Sequence, residues 1–533
     1  MTTSAVAGRT REPESLARVE VDARRPFRSV LFPGAEPAID REAPPFFSDL
    51  NLDQIIDAVT TGKDDYELKP FFYTPVRDID TILYRHEIMR DLERMPVAAA
   101  LRRFAQRFRE LRQHLSLVDN IRYDKHNKNG WFLHATTIYC EAVRSLENDL
   151  HRGDLKSRGL VAFRDYLEGY IASDYFTGLA AEAKRIKANL STVRYCVQIS
   201  GLTVVVRKYF GEPDYSAEVA QCFDKFRQRA AKDYRLPFSD GTSTDHVEAQ
   251  VLACVARLYP QIFSELEEFC RVNSDFQDQL VKRFDREIQF YLGYLEHISP
   301  MKSAGLRFCY PRITDKDKAV HVHAGFDLAL AGKLITEKSS VVCNDFYLRG
   351  PERILVVSGP NQGGKTTFAR AFGQAHYIAS LGCPVPGTDA QLFLFDRLFT
   401  HFAREEDVAT MRGALENDLA RIHAILSKAT AQSVIVLNEI FNSTTINDAT
   451  FLARKIIEEI IRLDALGVCV TFIDELARMS EKTVSMVSTV VPDNPALRTF
   501  KIIRRPADGL AYALSIAEKH RVTYPRLIER INS

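Results

Sequence analysis

Residues 353–367, RILVVSGPNQGGKTT, decide the fold of this chain. An apolar run typical of a buried strand is followed at once by residues 359–367, which fit the pattern G-x-x-x-x-G-K-[ST]. The glycines of such a loop let successive backbone N–H groups surround a phosphate. The helix that follows, near residues 368–381, points its positive end at the same phosphate. The stretch therefore predicts a nucleotide-binding α/β domain rather than a structural glycine-rich turn.

The loop predicts a role for each of its residues and implies ATP and Mg²⁺ as cofactors. Lys365 is predicted to reach the β and γ phosphate oxygens, and the Thr366 hydroxyl is predicted to coordinate Mg²⁺. The other nucleotide-binding candidates all belong to the loop: Gly359, Pro360, Asn361, Gln362, Gly363, Gly364 and Thr367.

A second predicted strand, SVIVLNE at residues 433–439, supplies polar groups beside the loop. Where such ATPases usually carry the Asp that holds the hydration shell of Mg²⁺, this chain has Asn438, which is neutral. We predict Asn438 as a nucleotide and metal contact, and Glu439 as the general base that orients the attacking water. The alternative for Glu439 is a helix-capping acid. With Glu439 and Lys365 as its catalytic residues, the chain is predicted to be an ATPase, and Asn438 predicts slow hydrolysis.

These motifs resemble the ATPase domain of the MutS DNA mismatch-repair family, a branch of the ABC-type ATPases. The loop matches the family's G-P-N-x-G-G-K-[ST]-T pattern, including Pro360 and Asn361, and residues 342–345 resemble its V-P-N-D lead-in. Residues 438–448 echo its D-E-I-G-R-G-T-S-T-x-D-G segment. Residues 508–517 resemble the D-G and S-Y-G-x-x-V-A stretch that closes the family's ATPase domain.

The resemblance covers about residues 340–533 and implies a dimer with composite nucleotide sites. In the family, the segment corresponding to residues 410–418 faces the nucleotide of the partner subunit. The chain departs from the family where an Asp, a His and two hydroxyl residues are expected. These positions are Asn438, Phe472, Gly413 and Ala414. Nucleotide binding is therefore expected, whereas rapid hydrolysis is not.

The predicted fold class is multidomain α and α/β. Residues 1–44 are rich in proline and predict an irregular tail. Residues 45–304 predict a mostly helical region, similar to the family's core, lever and clamp, with a small β element near residues 191–210. Residues 305–533 predict the ABC-type P-loop ATPase domain. Helices are expected at 49–56 and 78–92, around the apolar stripe of Phe104, Phe108, Leu111 and Leu115, and over 247–270 and 276–298.

Composition excludes several classes of protein. The chain of 533 residues is 46% apolar and 26% charged with a net charge of +1, values typical of a globular protein without a global attraction to nucleic acid. Its apolar runs fall far short of the roughly 18–20 residues that cross a bilayer, and its start does not resemble a signal peptide. The nine scattered cysteines predict reduced, mostly buried thiols in a cytoplasmic protein without a membrane partner.

Local charge and aromatic residues leave alternatives open. Residues 101–240 carry 24 Lys and Arg against 17 Asp and Glu, so Arg103, Arg107 and Arg112 are candidates for phosphate contacts or for a solvated helix face. Trp131 with its neighbour Phe132 is a candidate for base stacking, although packing between helices is the favoured interpretation.

Two histidines alternate in the predicted strand VHVHA, residues 320–324. His321 and His323 would therefore lie on one face of the strand. A metal site needs further ligands, and no third ligand lies near in the sequence. We expect an edge strand without a metal.

The leading hypothesis is a MutS-like, dimeric, ATP-dependent DNA-binding protein. It is predicted to act as a nucleotide-gated clamp on duplex, mismatched or branched DNA in repair or recombination. Because helical sequence begins near residue 46 and the chain ends at Ser533, the family's N-terminal mismatch-recognition domain and a C-terminal nuclease are expected to be absent. Two alternatives stay open: an ATPase that remodels the ribosome or structured RNA, and a pseudo-active, nucleotide-gated dimerisation module.

Overall fold

The computed structural model describes residues 27–121, 124–200, 203–212, 246–403, 413–491, 494–507 and 523–524. Helices dominate as far as Ser303, and strands alternate with helices from Phe308 onward. The helices of the first part are α1 (Leu52–Thr60), α2 (Lys69–Tyr73), α3 (Ile79–Leu92), α4 (Met95–Asn120), α5 (Lys125–Arg152), α6 (Arg158–Ile171), α7 (Asp174–Ser191), α8 (His246–Leu258), α9 (Pro260–Val272) and α10 (Gln279–Ser303). A hairpin of β1 (Tyr195–Ser200) and β2 (Thr203–Lys208) follows α7, where a β element is predicted.

The second part contains two larger sheets. Its helices are α11 (Leu328–Thr336), α12 (Lys365–Ser380), α13 (Ala414–Leu426) and α14 (Ile446–Leu463). Its strands are β3 (Phe308–Cys309), β4 (Arg312–Thr314), β5 (Val320–Gly325), β6 (Asn344–Leu348), β7 (Ile354–Ser358), β8 (Val385–Pro386), β9 (Asp389–Phe393), β10 (Leu398–Phe402), β11 (Val434–Asn438), β12 (Leu466–Val470), β13 (Thr483–Val491) and β14 (Asn494–Arg504).

The main sheet has the strand order β10-β11-β12-β7-β13-β14. All neighbouring pairs are parallel except β13 and β14, which are antiparallel. Helices cover the faces of this sheet, so every residue of β7, β11 and β12 is buried. A smaller sheet has the order β4-β9-β5-β6. The described chain thus consists of a mostly helical part followed by an α/β part.

The predicted irregular tail is anchored to the protein from residue 27 onward. Residues 27–44 contain no helix or strand, as expected. However, Val30 and Leu31 are fully buried. The carboxylate of Glu287 in α10 accepts hydrogen bonds from the Ser29 hydroxyl and the Val30 N–H, both at 2.8 Å. The Glu287 carboxylate thus provides a hydrogen-bond acceptor for a buried backbone N–H that lies outside any helix or strand.

Several predicted helices differ in their bounds. The helix predicted at 276–298 spans Gln279–Ser303, and the one predicted near 368–381 spans Lys365–Ser380. The predicted helix at residues 49–56 begins at Leu52, after a left-handed residue, Asn51. The predicted helix at 247–270 is interrupted before Pro260, because proline lacks the N–H that an uninterrupted helix requires. Pro260 instead occupies the first turn of α9, where no intrahelical N–H donor is needed.

Other predictions agree with the structure. α3 begins where expected, since the Asp78 carboxylate caps it by accepting a hydrogen bond from the Thr81 N–H at 2.7 Å. The stripe on α4 faces the core, with Phe104, Phe108 and Leu111 buried. Apolar side chains from the helical part and from the α/β part form one continuous buried cluster, so the hydrophobic core does not divide near residue 304.

The described cysteines are all free thiols, as expected, and Cys222 lies outside the described residues. They are less buried than predicted, since only Cys140, Cys383 and Cys469 among the described thiols are buried and the other described thiols are partly exposed. Within the described ranges, every helix is too short or too polar to span a bilayer.

Candidate nucleotide-binding site

The glycine-rich loop connects β7, in the middle of the main sheet, to α12. Three of its residues have left-handed backbone angles: Gly359 (φ 117°), Gln362 (φ 59°) and Gly364 (φ 88°). Such angles are common for glycine and rare for other residues, and they turn backbone N–H groups toward one concave surface. Because α12 starts at Lys365, its positive end faces that surface. The loop and the start of α12 thus face the same surface, an arrangement suited to a phosphate.

Ser488, in the neighbouring strand β13, supports the loop from below. Its hydroxyl donates a hydrogen bond to the Gly363 carbonyl at 2.7 Å. A Cβ atom at Gly363 would lie 2.2 Å from the Ser488 Oγ, and one at Gly359 would lie 3.0 Å from the Ser488 carbonyl oxygen. Both glycines are therefore required by close packing as well as by phosphate access. No local motif marks Ser488, so sequence reasoning missed it.

Lys365 is folded back onto the loop. Its Nζ donates hydrogen bonds to the carbonyl oxygens of Gly359 at 3.0 Å and Pro360 at 2.9 Å. Burial lowers the pKa of Lys365, and the nearby Glu439 carboxylate acts in the opposite direction. Lys365 is therefore a buried cation whose hydrogen bonds go to carbonyl oxygens of the loop.

Thr366, in the first turn of α12, meets Asn438 although β7 and β11 are not neighbouring strands. The Thr366 hydroxyl donates to the Asn438 Oδ1 at 2.9 Å. β12 lies between β7 and β11, but the carboxyl ends of parallel strands share one edge of the sheet. The hydroxyl and amide oxygens are ligands suited to Mg²⁺. The pair fits the predicted metal contacts, and it is neutral because Asn replaces a carboxylate.

Glu439 has a strained backbone at the end of β11, with φ 53°. Such a conformation in a non-glycine residue costs on the order of 1–3 kcal/mol and persists only where the surroundings enforce it. Here the Glu439 N–H donates to the Val470 carbonyl at 2.9 Å. The Asn442 side chain donates to the Glu439 carboxylate at 3.4 Å. Strain of this kind clusters at functional sites.

The helix-capping alternative for Glu439 is wrong. α14 begins at Ile446, and its N-cap is Thr445, whose side chain accepts a hydrogen bond from the Asp448 N–H. Glu439 therefore lies well before the helix that it might have capped. Its carboxylate is left at the same edge of the sheet as Lys365.

The lead-in at residues 342–345 holds strands together. The Asn344 side chain donates to the Phe500 carbonyl at 3.1 Å and accepts from the Ile502 N–H at 2.8 Å, which ties β6 to β14. The Asp345 carboxylate accepts from the Ala324 N–H in β5. From β14, the Arg498 guanidinium donates to the Asn361 carbonyl at 3.1 Å and anchors the loop. These residues position the loop from a distance that sequence spacing does not reveal.

Helix α12 is held by the N-terminal segment of the chain. The Arg370 guanidinium donates to the Asp49 carbonyl at 2.9 Å. The Gln374 amide donates to the Leu50 carbonyl at 2.8 Å, and the Tyr377 hydroxyl donates to the Phe72 carbonyl at the same distance. Three successive turns of the helix behind the loop thus carry hydrogen bonds to the helical part.

Phe472 and Gly413, two of the positions that depart from the family pattern, lie within the described residues. Phe472 follows β12 and is 50% exposed, which is unusual for a large apolar side chain and leaves it available to a partner. Gly413 is the N-cap of α13. Residues 404–412 and 508–517, which carry other parts of the resemblance, lie outside the described residues.

The three candidate arginines of α4 are all engaged in ion pairs. Arg103 contacts Asp149 at 2.9 Å, and Arg107 contacts Glu141 at 2.8 Å, both across to α5. Arg112 contacts the buried Asp285 of α10 and is therefore part of the core structure. Of these three, Arg103 and Arg107 form exposed pairs and stay candidates for phosphate contacts.

The two aromatic candidates for base stacking pack inside the protein. Trp131 stacks on His114, with 5.0 Å between ring centroids, and Phe132 is buried. The packing interpretation is the one that the structure supports.

Comparisons with known proteins agree with the architecture of this site. Residues 355–527 match the family model described as MutS domain V. The DNA mismatch repair protein MutS of Orientia tsutsugamushi (strain Boryong) is 30% identical over 218 residues, which is 40% of this chain and 24% of that protein. The MutS of Shouchella clausii is 30% identical over 203 residues, 36% of this chain and 23% of that protein. The MutS of Thermosipho melanesiensis is 27% identical over 264 residues, 48% of this chain and 32% of that protein.

The matched segments cover between 23% and 32% of these three relatives. The segment that matches MutS domain V contains β11 and the antiparallel pair β13 and β14. The chain spans less than two thirds of the length of the relatives it matches.

Proposed function

We propose that this chain is an ATP-dependent DNA-binding ATPase of MutS type, which acts as a nucleotide-gated clamp on duplex, mismatched or branched DNA in repair or recombination. One observation carries this proposal. The loop, Thr366, Asn438 and Glu439 meet at one edge of a parallel sheet, within a segment that matches MutS domain V. The named relatives are DNA mismatch repair proteins, which supports DNA as the ligand of this chain.

Different residues of the site would bind the nucleotide and hydrolyse it. The loop N–H groups would bind the phosphates, while Lys365 would leave its two carbonyl partners to contact the β and γ phosphate oxygens. Mg²⁺, held by Thr366 with Asn438, would offset charge on those oxygens. Glu439, which starts beside Lys365, would orient the attacking water and accept its proton.

Helix α12 would transmit the nucleotide state to the helical part. Its backbone begins at the phosphate-binding loop, and its side chains hold residues 49, 50 and 72 through hydrogen bonds. A small movement of α12 on nucleotide binding would therefore move α1 and α2 with it, because packed interiors transmit displacement rather than absorb it. This coupling supports a clamp, and a homodimer would bring two such clamps together.

Replacing Asn438 by Asp should raise ATP turnover and reduce the Mg²⁺ concentration that it needs. The added carboxylate would face Thr366 with a full charge, whereas the amide can only form hydrogen bonds. Residues that hold metal-bound water typically change metal affinity or activity by about 10–100-fold. We expect ATP turnover to rise by an amount near the lower end of this range, about tenfold. Steady-state ATPase assays of wild type and Asn438→Asp across Mg²⁺ concentrations measure it.

Asn447→Asp is the matched control for that substitution, since it adds the same charge within exposed residues at the start of α14. It should leave the Mg²⁺ dependence unchanged. Superimposable curves for wild type and Asn438→Asp would show that Asn438 does not limit the rate.

Replacing both Arg103 and Arg107 by Gln should weaken DNA binding to a similar degree for all sequences. The slope of log affinity against log salt is negative, and each lost phosphate contact reduces its magnitude by about 0.9. The double variant should therefore show a slope that is shallower by up to about 2. Arg112 is left intact because it pairs with a buried carboxylate. Salt-dependent binding to homoduplex, mismatched, four-way-junction and structured-RNA ligands provides the measurement.

A matched control replaces Lys455 and Arg462 by Gln. Both are surface cations of the α/β part, and each forms an ion pair with a glutamate on the same helix. That variant should bind DNA like the wild type. An unchanged salt slope in the Arg103 and Arg107 variant would identify their face as merely solvated. Preferential binding of the wild type to structured RNA would favour the alternative of an RNA- or ribosome-remodelling ATPase.

A further inference from the structure

Three potential metal ligands lie on the outward face of the smaller sheet. His321 and His323 alternate in β5, and Asp389 begins the neighbouring strand β9. The strand register pairs His323 directly with Asp389 and places His321 two residues further along the same face. β5 lies between β9 and β6, so the expectation of an edge strand is wrong. The third ligand, which the sequence does not place near the histidines, comes from a strand more than sixty residues away.

The ligand atoms of these three side chains lie within 4.8 Å of one another. The His321 Nε2 is 2.8 Å from the Asp389 Oδ2, and the two imidazole rings are 5.3 Å apart at their centroids. Ligands around a tetrahedral ion at about 2.0–2.1 Å are separated by roughly 3.4 Å. Displacements of the ligand atoms by about an ångström would therefore bring all three within bonding distance of one ion.

The backbone beneath this site is held in place. Val320 and Val322, which alternate with the histidines, are buried and fix the register of β5. The His323 carbonyl accepts a hydrogen bond from the Thr388 N–H at 2.8 Å. Gly387 has φ 145°, and a Cβ there would lie 2.8 Å from the same carbonyl oxygen. The turn into β9 thus sets the distance between Asp389 and the histidines.

We propose that His321, His323 and Asp389 form a binding site for a divalent transition-metal ion of the Zn²⁺ class. Two imidazoles favour Zn²⁺ and related ions over Mg²⁺, which prefers oxygen ligands. Three protein ligands leave a fourth position open to water or to a group from another molecule. A bound ion would join β5 to β9 through side chains in addition to their backbone hydrogen bonds.

The alternative is an ordinary surface ion pair between His321 and Asp389. Such a pair does not need His323, whereas a metal site does. The side chain of Asp389 is 71% exposed and that of His321 is 27% exposed, so an incoming ion would find both accessible. The participation of His323 separates the two interpretations.

Calorimetric titration of the chelator-treated, nucleotide-free full chain with ZnCl₂ tests the proposal. Wild type should bind one equivalent that the double variant His321→Asn/His323→Asn lacks, and MgCl₂ should not compete for it. His151→Asn is the matched control, because the exposed His151 also pairs with a carboxylate, that of Glu147 at 3.0 Å. This control should still bind the equivalent. Any Zn²⁺ bound by cysteines elsewhere should remain bound in all variants.

Zn²⁺ should also raise the thermal unfolding midpoint of wild type and His151→Asn but not that of the double variant. Should the double variant fail to fold, Asp389→Asn, an exposed change, is expected to weaken Zn²⁺ binding by roughly tenfold or more. Equal Zn²⁺ binding in wild type and in a folded variant of His321, His323 or Asp389, or the absence of binding to wild type, would overturn the proposal. Neither result depends on ATP or DNA binding, so the proposed function is tested separately.

Discussion

Glu439→Gln should abolish ATP turnover while leaving ATP bound. A positioned general base contributes about 10²–10⁴-fold to the rate of proton transfer, and glutamine cannot accept the proton. The substitution preserves size and can still contact Asn442, which lies 3.4 Å from the Glu439 carboxylate. Single-turnover assays with labelled ATP measure the chemical step, and equilibrium titration measures binding.

The matched control for this experiment is Glu458→Gln. Glu458 lies on α14 and forms an exposed ion pair with Lys455 at 2.8 Å, away from the loop. This variant should hydrolyse ATP at the wild-type rate. If Glu439→Gln hydrolyses ATP as fast as the wild type, the base is another group or none at all. If ATP binding is lost as well, Glu439 has a structural role instead.

Lys365→Met should reduce ATP affinity by about 10- to 150-fold. A hydrogen bond to a charged group contributes about 1.5–3 kcal/mol, and each 1.4 kcal/mol corresponds to a tenfold change in affinity. Methionine fills the space of the lysine stem, so the loop is expected to keep its shape. Calorimetric titrations with ATP and AMP provide the measurement, because AMP lacks the phosphates that Lys365 is expected to contact. AMP affinity should therefore change little.

Arg370→Met is a useful comparison one turn further along α12. Arg370 binds the Asp49 carbonyl rather than the loop, so its loss should leave ATP affinity near the wild-type value. Its loss should instead weaken the proposed coupling between α12 and the helical part. Unchanged ATP affinity in Lys365→Met would mean that the phosphates bind elsewhere. Equal losses in both variants would point to a general effect on helix α12.

The nucleotide-binding loop could be predicted from the sequence because its chemistry is local. A strand, a glycine-rich turn and a helix start within residues 353–367, and each follows from the residues themselves. The same holds for the capped start of α3 and for the hairpin near residues 191–210. Short-range patterns of this kind determine the elements and the residues that can contact a phosphate.

The sequence alone did not determine which distant groups support these elements. The Ser488 hydroxyl reaches the Gly363 carbonyl only because β13 pairs with β7. The Glu287 carboxylate reaches the N-terminal tail across more than 250 residues. Each of these contacts is a hydrogen bond between groups that no periodicity relates, so only the tertiary structure identifies them.

The cluster of His321, His323 and Asp389 also depends partly on the sequence and partly on the tertiary structure. The sequence placed His321 and His323 on one strand face, because side chains alternate along a strand. Only sheet pairing brought Asp389 beside them. The sequence by itself thus determined a phosphate-binding loop in an α/β domain that follows a helical part. The tertiary structure decided which long-range partners surround each site, since strand order and register arise from packing of the whole chain rather than from local residue preference.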